Sequence, residues 1–377
     1  VIKRRALFFT KYGEAGASSR YRVYAYLSRL RDCGWAATVQ PLLPDRYIAA
    51  LYATGKRNMG AVLKGVARRS ISLRRLGLPQ FNAIVVQCEL FPHLPFFVEA
   101  EFYYRFGDRI VVDYDDAMFA MYQESALLRD KIAQVMRSAR LVVVGNEYLA
   151  AYARAHARRV AVVPTAIETS RYQPKREYGG NGERLIVGWI GTPVTTRDLA
   201  SAAEAFQRVA RVIGFTLRCV GASPGFCIPG VDVEVLPWSE GAEPDLVRSF
   251  DVGVMPLVEN AFTLGKCGLK LIQYMGCAVP PVAARLGANC EIICDGENGY
   301  LASTQSEFAA KIIALLRDAE LRQKLGRAAR ATIERSYSME VTGARWCALL
   351  NEIADGVGAA SHCRRTSAHE KAQCVSF

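Results

Sequence analysis

Short apolar runs alternate with longer amphipathic stretches along most of the chain. ALFFT at 6–10 predicts a strand, and SRYRVYAYLSRLRDCG at 19–34 predicts a helix after a glycine-containing loop. ATVQPLL (37–43), NAIVVQ (82–87), RIVVDYDD (109–116), RLVVVGN (140–146) and VAVVPTA (160–166) read as further strands, most of them separated by helical patterns. Near-continuous apolar strands alternating with helices imply a parallel sheet covered on both faces.

The rhythm breaks after Pro164. ETSRYQPKREYGGNGERL (168–185) is polar and glycine-rich and predicts a linker. Strand and helix patterns then resume with LIVGWIG, TLRCVGA, DVEVLPW, DVGVMPL, AVPPVAA and GYLAS, followed by helical segments to about residue 353. The expected organisation is an α/β chain of two doubly wound parallel sheets. Residues 1–167 form one domain, 168–185 a linker and 186–337 a second domain, with a closing helix over 338–355 and a disordered tail over 356–377. Two such halves are expected to form a cleft, and ligands of open parallel sheets bind beyond the carboxyl ends of the strands.

A length of 377 residues suits two domains, and the 51% hydrophobic content supplies a core for each. No apolar run is long enough to span a bilayer, and the polar N-terminus predicts no signal peptide. Eleven cysteines include no CxxC, and four histidines complete no zinc pattern. These features predict reduced, buried thiols and a cytoplasmic protein. The net charge of +12 is partly local: residues 51–80 hold Lys56, Arg57, Lys64, Arg68, Arg69, Arg74 and Arg75 and no acid. Val62, Leu63, Val66 and Ile71 interleave with them. Such a segment, centred on 55–75, is either a solvated helix or one that lies on an anionic membrane surface. No nucleic-acid-binding signature accompanies the charge, so nucleic acid is not an expected partner.

Four strand-end loops could carry chemistry. In KYGEAGASSRYRVY (11–24), Gly13 and Gly16 permit close backbone approach, Ser18 or Ser19 can cap a helix, and Arg20 and Arg22 place cations in its first turn, where they oppose the helix dipole. An anion held by arginine and a helix N-terminus would explain that placement. In VVDYDDAMF (111–119), Asp113, Asp115 and Asp116 admit three readings: a metal site, a metal-free polar cluster, or capping with an arginine partner. In VGWIGTPVTTRDL (187–199), Gly191 and Thr192 form a turn, Thr195 or Thr196 can cap, and Arg197 can reach a phosphate. In GKCGLKLIQYMG (265–276), Gly265, Lys266, Gly268 and Lys270 open a helix with apolar Leu269, Ile272 and Met275. Cations and free amides there suit a diphosphate, with Gln273 one turn later placed for a ribose.

GKCGLKLIQYMGCAVPPVA resembles the nucleotide-sugar site of the GT-B glycosyltransferases, in particular their family 4. IVGWIGTP with TTRDL, DVGVMPL, ENGYL and ERSYS recur in the same order in that group. SSRYRVYAYL, VVQCEL, VVDYDDAMF and GNEYLAAY fit one bacterial subgroup, and the resemblance covers roughly residues 5 to 350. It implies a GT-B fold, with the donor held mainly by the C-terminal domain and the acceptor by the N-terminal one. Two glutamates usual in the family fall on Gly265 and Gln273. A usual Arg and Lys pair falls on Thr192 and Arg197, and a usual histidine on Asp115 or Asp116. Lys266 is then the expected replacement for the missing cation.

The function so implied is retaining, metal-independent transfer of a sugar from a nucleotide diphosphate to a hydroxyl. No cofactor is involved beyond the donor substrate. Lys266 and Arg197 would meet the leaving group, and Asp115 or Asp116 would orient the acceptor hydroxyl or the sugar. The remaining contacts to the donor would come from Gly13, Gly16, Arg20, Gly191, Thr192, Gly265, Gly268, Lys270 and Gln273. The expected acceptor is a bacterial surface glycan on a lipid carrier, or a small secondary metabolite. The protein would be cytoplasmic and peripheral to the inner face of the membrane. Alternatives are an inactive nucleotide-binding relative, motivated by Gly265 and Gln273, and an epimerase of the same fold. A dinucleotide oxidoreductase lacks its glycine fingerprint here.

Overall fold

The computed structural model describes residues 4–55, 57–179 and 184–373, and the chain divides into two compact units. Unit 1 comprises Val1–Val163 and Gly343–Phe377; unit 2 is Pro164–Thr342.

Unit 1 is built on β1 (Arg4–Tyr12), β2 (Trp35–Leu43), β3 (Ala83–Gln87), β4 (Ile110–Tyr114), β5 (Leu141–Val144) and β6 (Val160–Val162). All pair in parallel in the order β2-β1-β3-β4-β5-β6. The apolar runs are buried as read: Leu7, Phe9, Ile84, Val86, Val111, Val112, Val142 and Val143 are fully covered. The helices between them are α1 (Ala17–Arg22), α2 (Leu27–Asp32), α3 (Asp45–Thr54), α4 (Met59–Arg75), α5 (Ala100–Phe106), α6 (Met118–Tyr122), α7 (Lys131–Ser138) and α8 (Glu147–Arg154). The single helix expected over 19–34 is in fact α1, a 3-10 turn at Tyr24–Tyr26, and α2. Val23 leaves the helical region at φ −130°, ψ −62°, and the aromatic and β-branched residues around it have weak helix propensity.

Unit 2 carries β7 (Ile186–Ile190), β8 (Thr216–Val220), β9 (Asp232–Leu236), β10 (Val252–Met255), β11 (Pro281–Ala284) and β12 (Tyr300–Ala302), parallel in the order β12-β11-β10-β7-β8-β9. Its helices are α9 (Thr196–Ala200), α10 (Ala203–Ala210), α11 (Glu243–Arg248), α12 (Ala261–Leu264), α13 (Leu269–Gly276), α14 (Asn289–Ile292), α15 (Gln305–Arg317) and α16 (Ala319–Thr332). Trp189, Phe206, Leu217, Val254 and Ile312 lie at the centre of its core.

Three further expectations from the sequence change. Residues 168–179, expected as part of a linker, are fastened to unit 2. Tyr172 and Tyr178 are buried, Tyr178 Oη donates to the Ala278 carbonyl (2.8 Å), and Lys175 pairs with Asp251 (2.6 Å). Isolated aromatics without a period carry the burial, so pattern reading misses it; residues 180–183 of that segment lie outside the described ones. Helix α17 runs Met339–Gln373, through most of the segment expected to be disordered; residues 374–377 are not among those described. From Gly343 onward α17 belongs to unit 1, burying Trp346, Leu350 and Ile353, while Asn351 accepts from Arg4 (2.6 Å) and from Trp35 Nε1 (3.0 Å). Finally, Cys33 and Cys347 form a disulfide with Cα atoms 6.4 Å apart, so not every thiol is reduced as expected.

Candidate functional site

Each sheet has one point where the chain reverses its direction of winding, and there the strand ends leave a crevice. In unit 2 it lies between β7 and β10. The loop after β7 holds Gly191 and Thr192; the segment after β10 leads to Gly265–Lys270. A Cβ on Gly191 would come within 2.3 Å of the Trp189 ring and 2.7 Å of Thr195 Oγ1, so the turn needs glycine. Thr192 and Thr195 cap one another, the Thr192 amide donating to Thr195 Oγ1 at 3.0 Å. Arg197 follows with its side chain 72% exposed, 3.9 Å from Asp198.

Lys266 binds these two loops together. Its Nζ donates to Asp198 Oδ2 at 2.8 Å, and that carboxylate side chain is only 2% exposed. Gly265 closes α12. Gly268 adopts φ +67° at the cap of α13, and a Cβ there would lie 2.3 Å from Ile292 Cδ1. The first-turn amides of α13 have no acceptor within the helix. On that turn Lys270 is half-buried, with its amine 4.5 Å from the centre of the Trp189 ring. Burial, reinforced by the nearby Lys266 charge and opposed by Asp198, pushes the Lys270 amine down to about 7. Among the described residues no carboxylate is hydrogen-bonded to it. The structure thus gathers Thr192, Arg197, Lys266, Gly268 and Lys270 around one strand-end crevice.

Gln273 is placed differently. It is buried, and its Nε2 donates to Glu243 Oε1 (2.8 Å) and Tyr172 Oη (3.1 Å). Glu243 also accepts from Trp238 Nε1 (2.5 Å) and from the Tyr172 hydroxyl. The amide expected at a ribose is therefore engaged with α11. Glu243, Trp238 and Tyr172 were not foreseen, because their meeting depends on tertiary packing.

In unit 1 the reversal lies between β1 and β3. Gly13 and Gly16 occupy the loop after β1 for local reasons: a Cβ on Gly13 would meet Asp45 Oδ1 at 2.2 Å, and one on Gly16 would meet Tyr12 Cβ at 2.5 Å. Neither serine caps α1, whose cap is Gly16 without a side-chain bond. Instead Ser19 Oγ donates to Gln87 Oε1 and Gln87 Nε2 to Ser18 Oγ, both at 2.7 Å, and Ser18 donates on to Asp115. Arg20 is buried, with its guanidinium over Tyr21. Arg22 is also buried and forks onto Asp113, with Nε 3.0 Å from Oδ2, while Nη1 donates to the Val163 carbonyl at 2.7 Å. Of the three aspartates, Asp113 thus follows the arginine-partner reading.

Unforeseen participants are Gln87, Lys11 and Cys88. Burial would lower Lys11, but Tyr12, Cys88, Glu89 and Asp116 outweigh it and raise the amine. Cys88 sits at φ +62°, a strained backbone for a non-glycine residue. Lys11 could have been noticed as a cation at a strand end; the Cys88 backbone leaves no sequence trace.

Residues 184–318 match the family described as Glycosyl transferases group 1. N-acetyl-alpha-D-glucosaminyl L-malate synthase of Bacillus anthracis is 26% identical over 178 residues, 45% of this chain and 45% of that protein, so the match spans under half of the curated relative. Sucrose-phosphate synthase from Thermosynechococcus elongatus superposes with a TM-score of 0.69 at 15% identity, covering 93% of this chain and 99% of that one. Anabaena HepE in complex with UDP and glucose gives 0.67 at 15% identity over 93% of this chain and 100% of its own. The fold is GT-B. The GT-B sheet of unit 2 is the one that carries the matched glycosyltransferase domain, and it holds the Lys266 and Lys270 crevice.

Proposed function

We propose that this GT-B protein is a glycosyltransferase that moves a sugar from a UDP-sugar to a hydroxyl acceptor, with retention and without a metal. The observation that carries the reading is Lys270. A lysine amine rests over Trp189, on the first turn of α13, beside a Lys266 already neutralised by Asp198. A diphosphate there would receive a charge, a second cation and helix amides at once. Arg197, exposed at the same loop, would add to the stabilisation as the sugar–phosphate bond breaks. Within unit 1, Asp115 and Asp116 are the proposed contacts to the acceptor. The choice of UDP is supported by the neighbours: HepE is described with UDP-glucose, and the pneumococcal O-GlcNAc transferase GtfA with UDP and GlcNAc. The acceptor in this reading is a bacterial surface glycan or its lipid-linked precursor.

A second reading, a nucleotide-binding subunit without turnover, is favoured by one observation. Gly265 offers no side chain, and Gln273 is committed to Glu243 and Tyr172. Thermal shift with UDP, GDP, UDP-glucose and UDP-GlcNAc, followed by release of UDP in the presence of acceptor, separates the two. Stabilisation with turnover supports the transferase, stabilisation without turnover supports the subunit, and no stabilisation refutes both.

A further inference from the structure

We infer that the outer face of α4 docks unit 1 onto an anionic phospholipid bilayer. The inference stands on this surface and is independent of the reaction. From Arg46 to Cys88 the chain contains no acidic residue. The structure sorts the interleaved charges and apolar side chains of α4 into two faces. Val62 and Val66 turn inward against Leu42, Leu43, Tyr47 and Ile48. Arg69 is also taken inside, donating to the carbonyls of Thr10 (2.6 Å), Gln40 (2.7 Å) and Leu90 (3.0 Å), so it is no surface charge. What remains outside is Met59, Leu63 and Ile71, which are 60%, 67% and 51% exposed, among Lys64, Arg68, Arg74 and Arg75. Lys56 lies outside the described residues.

Lys64, Arg68, Ile71, Ser72, Arg75 and Leu76 together line a depression of about 550 Å³ on this face. Arg68 is anchored there by the Pro41 and Leu42 carbonyls (2.9 and 3.1 Å). Among the described residues, Lys64 and Arg75 pair with no carboxylate. Cations without acidic partners, flanking aliphatic side chains that point into solvent, fit phosphate headgroups above an acyl layer. A soluble polyanion would use the cations and leave Leu63 and Ile71 idle. Helix α5 extends the surface: Phe9 of β1 packs against both Arg69 of α4 and Phe102 of α5, so the two helices cover one sheet face. Tyr104 on α5 is 92% exposed, as an interfacial aromatic would be.

The test is co-sedimentation of the full chain with phosphatidylcholine vesicles, with and without about 30% phosphatidylglycerol. Heparin binding is measured in parallel. The wild type should bind the anionic vesicles at least about tenfold more tightly, and Lys64→Glu with Arg75→Glu should lose about tenfold or more. Leu63→Ser with Ile71→Ser should lose about tenfold on vesicles while heparin binding is unchanged. These side chains are exposed, so the variants should fold. Equal binding to neutral and anionic vesicles overturns the proposal. So does undiminished vesicle binding by the serine variant, which would make the face a general polyanion site.

Discussion

Raising the pH from about 6 to about 8.5 should discharge Lys270 and weaken donor binding by a calculable amount. The amine lies at about 7 in the unliganded protein, because burial and Lys266 disfavour its charge. A bound diphosphate reverses that environment and fixes the proton, so binding takes up a proton wherever the free protein has lost it. The protonated fraction falls from about 0.9 to about 0.03 over that interval, which lowers affinity about 30-fold, or about 2 kcal/mol. A UDP-sugar is the right probe, since its diphosphate is doubly ionised throughout. Affinity would be measured by calorimetry at constant ionic strength, in buffers of differing ionisation heat so that proton uptake is read directly. Lys270→Met should bind weakly and with a flat pH profile. The stability of the free protein should move the opposite way. The unfolded lysine titrates near 10.5, so between about 7 and 10.5 the unfolded chain holds more protons and stability rises with pH. Wild-type affinity that changes less than about threefold, or the same slope in Lys270→Met, would refute the assignment of this amine to the diphosphate.

Other outcomes follow from specific contacts. Lys266→Ala should lower turnover on the order of a hundredfold and also cost about 1–3 kcal/mol in urea denaturation, because Asp198 is left buried without its partner; unchanged turnover in the folded variant removes Lys266 from the chemistry. Asp113→Asn should destabilise the protein by about 3 kcal/mol or more, since Arg22 loses its counter-charge, while EDTA leaves wild-type turnover unchanged; activity lost to EDTA and restored by a divalent ion would bring the metal reading back. Glu99 is pushed up to about 7 by burial, against the pull of Lys131 and with Glu89 adding to it. The folded state therefore holds the extra proton, and stability should fall as pH rises from about 4.5 through 7, a slope that Glu99→Gln should flatten in thermal melts across that range.

Both sheets were legible because buried parallel strands are written as continuous apolar runs, as IVV at 84–86 and LVVV at 141–144 are. The body of α13 was legible too, since Leu269, Ile272 and Met275 have helical spacing, whereas the left-handed turn at Gly268 that opens it was not. What the sequence hides is pairing at a distance. Nothing in VVDYDD says that Arg22 will claim Asp113 and leave Asp115 to Ser18. Nothing in KLIQYM says that Gln273 will face Glu243, 30 residues earlier. The basic segment was visible as charge, but only the packing of Val62, Val66 and Arg69 tells which of its side chains meet solvent. The limits of the second unit were missed because Tyr172 and Tyr178 are single anchors in a polar stretch.

The path of α17 has a consequence for how the protein is made. Unit 1 is discontinuous, interrupted at Val163 and resumed at Gly343, so unit 2 is an insertion within it. A ribosome must deliver all of unit 2 before Trp346, Leu350 and Ile353 can cover their side of the first sheet. The N-terminal part therefore waits during synthesis with Trp35 and Cys33 lacking their partners Asn351 and Cys347, while the inserted part already has every strand of its own sheet. Biogenesis should be inverted relative to chain order, with the later unit maturing first and the Cys33–Cys347 link closing last.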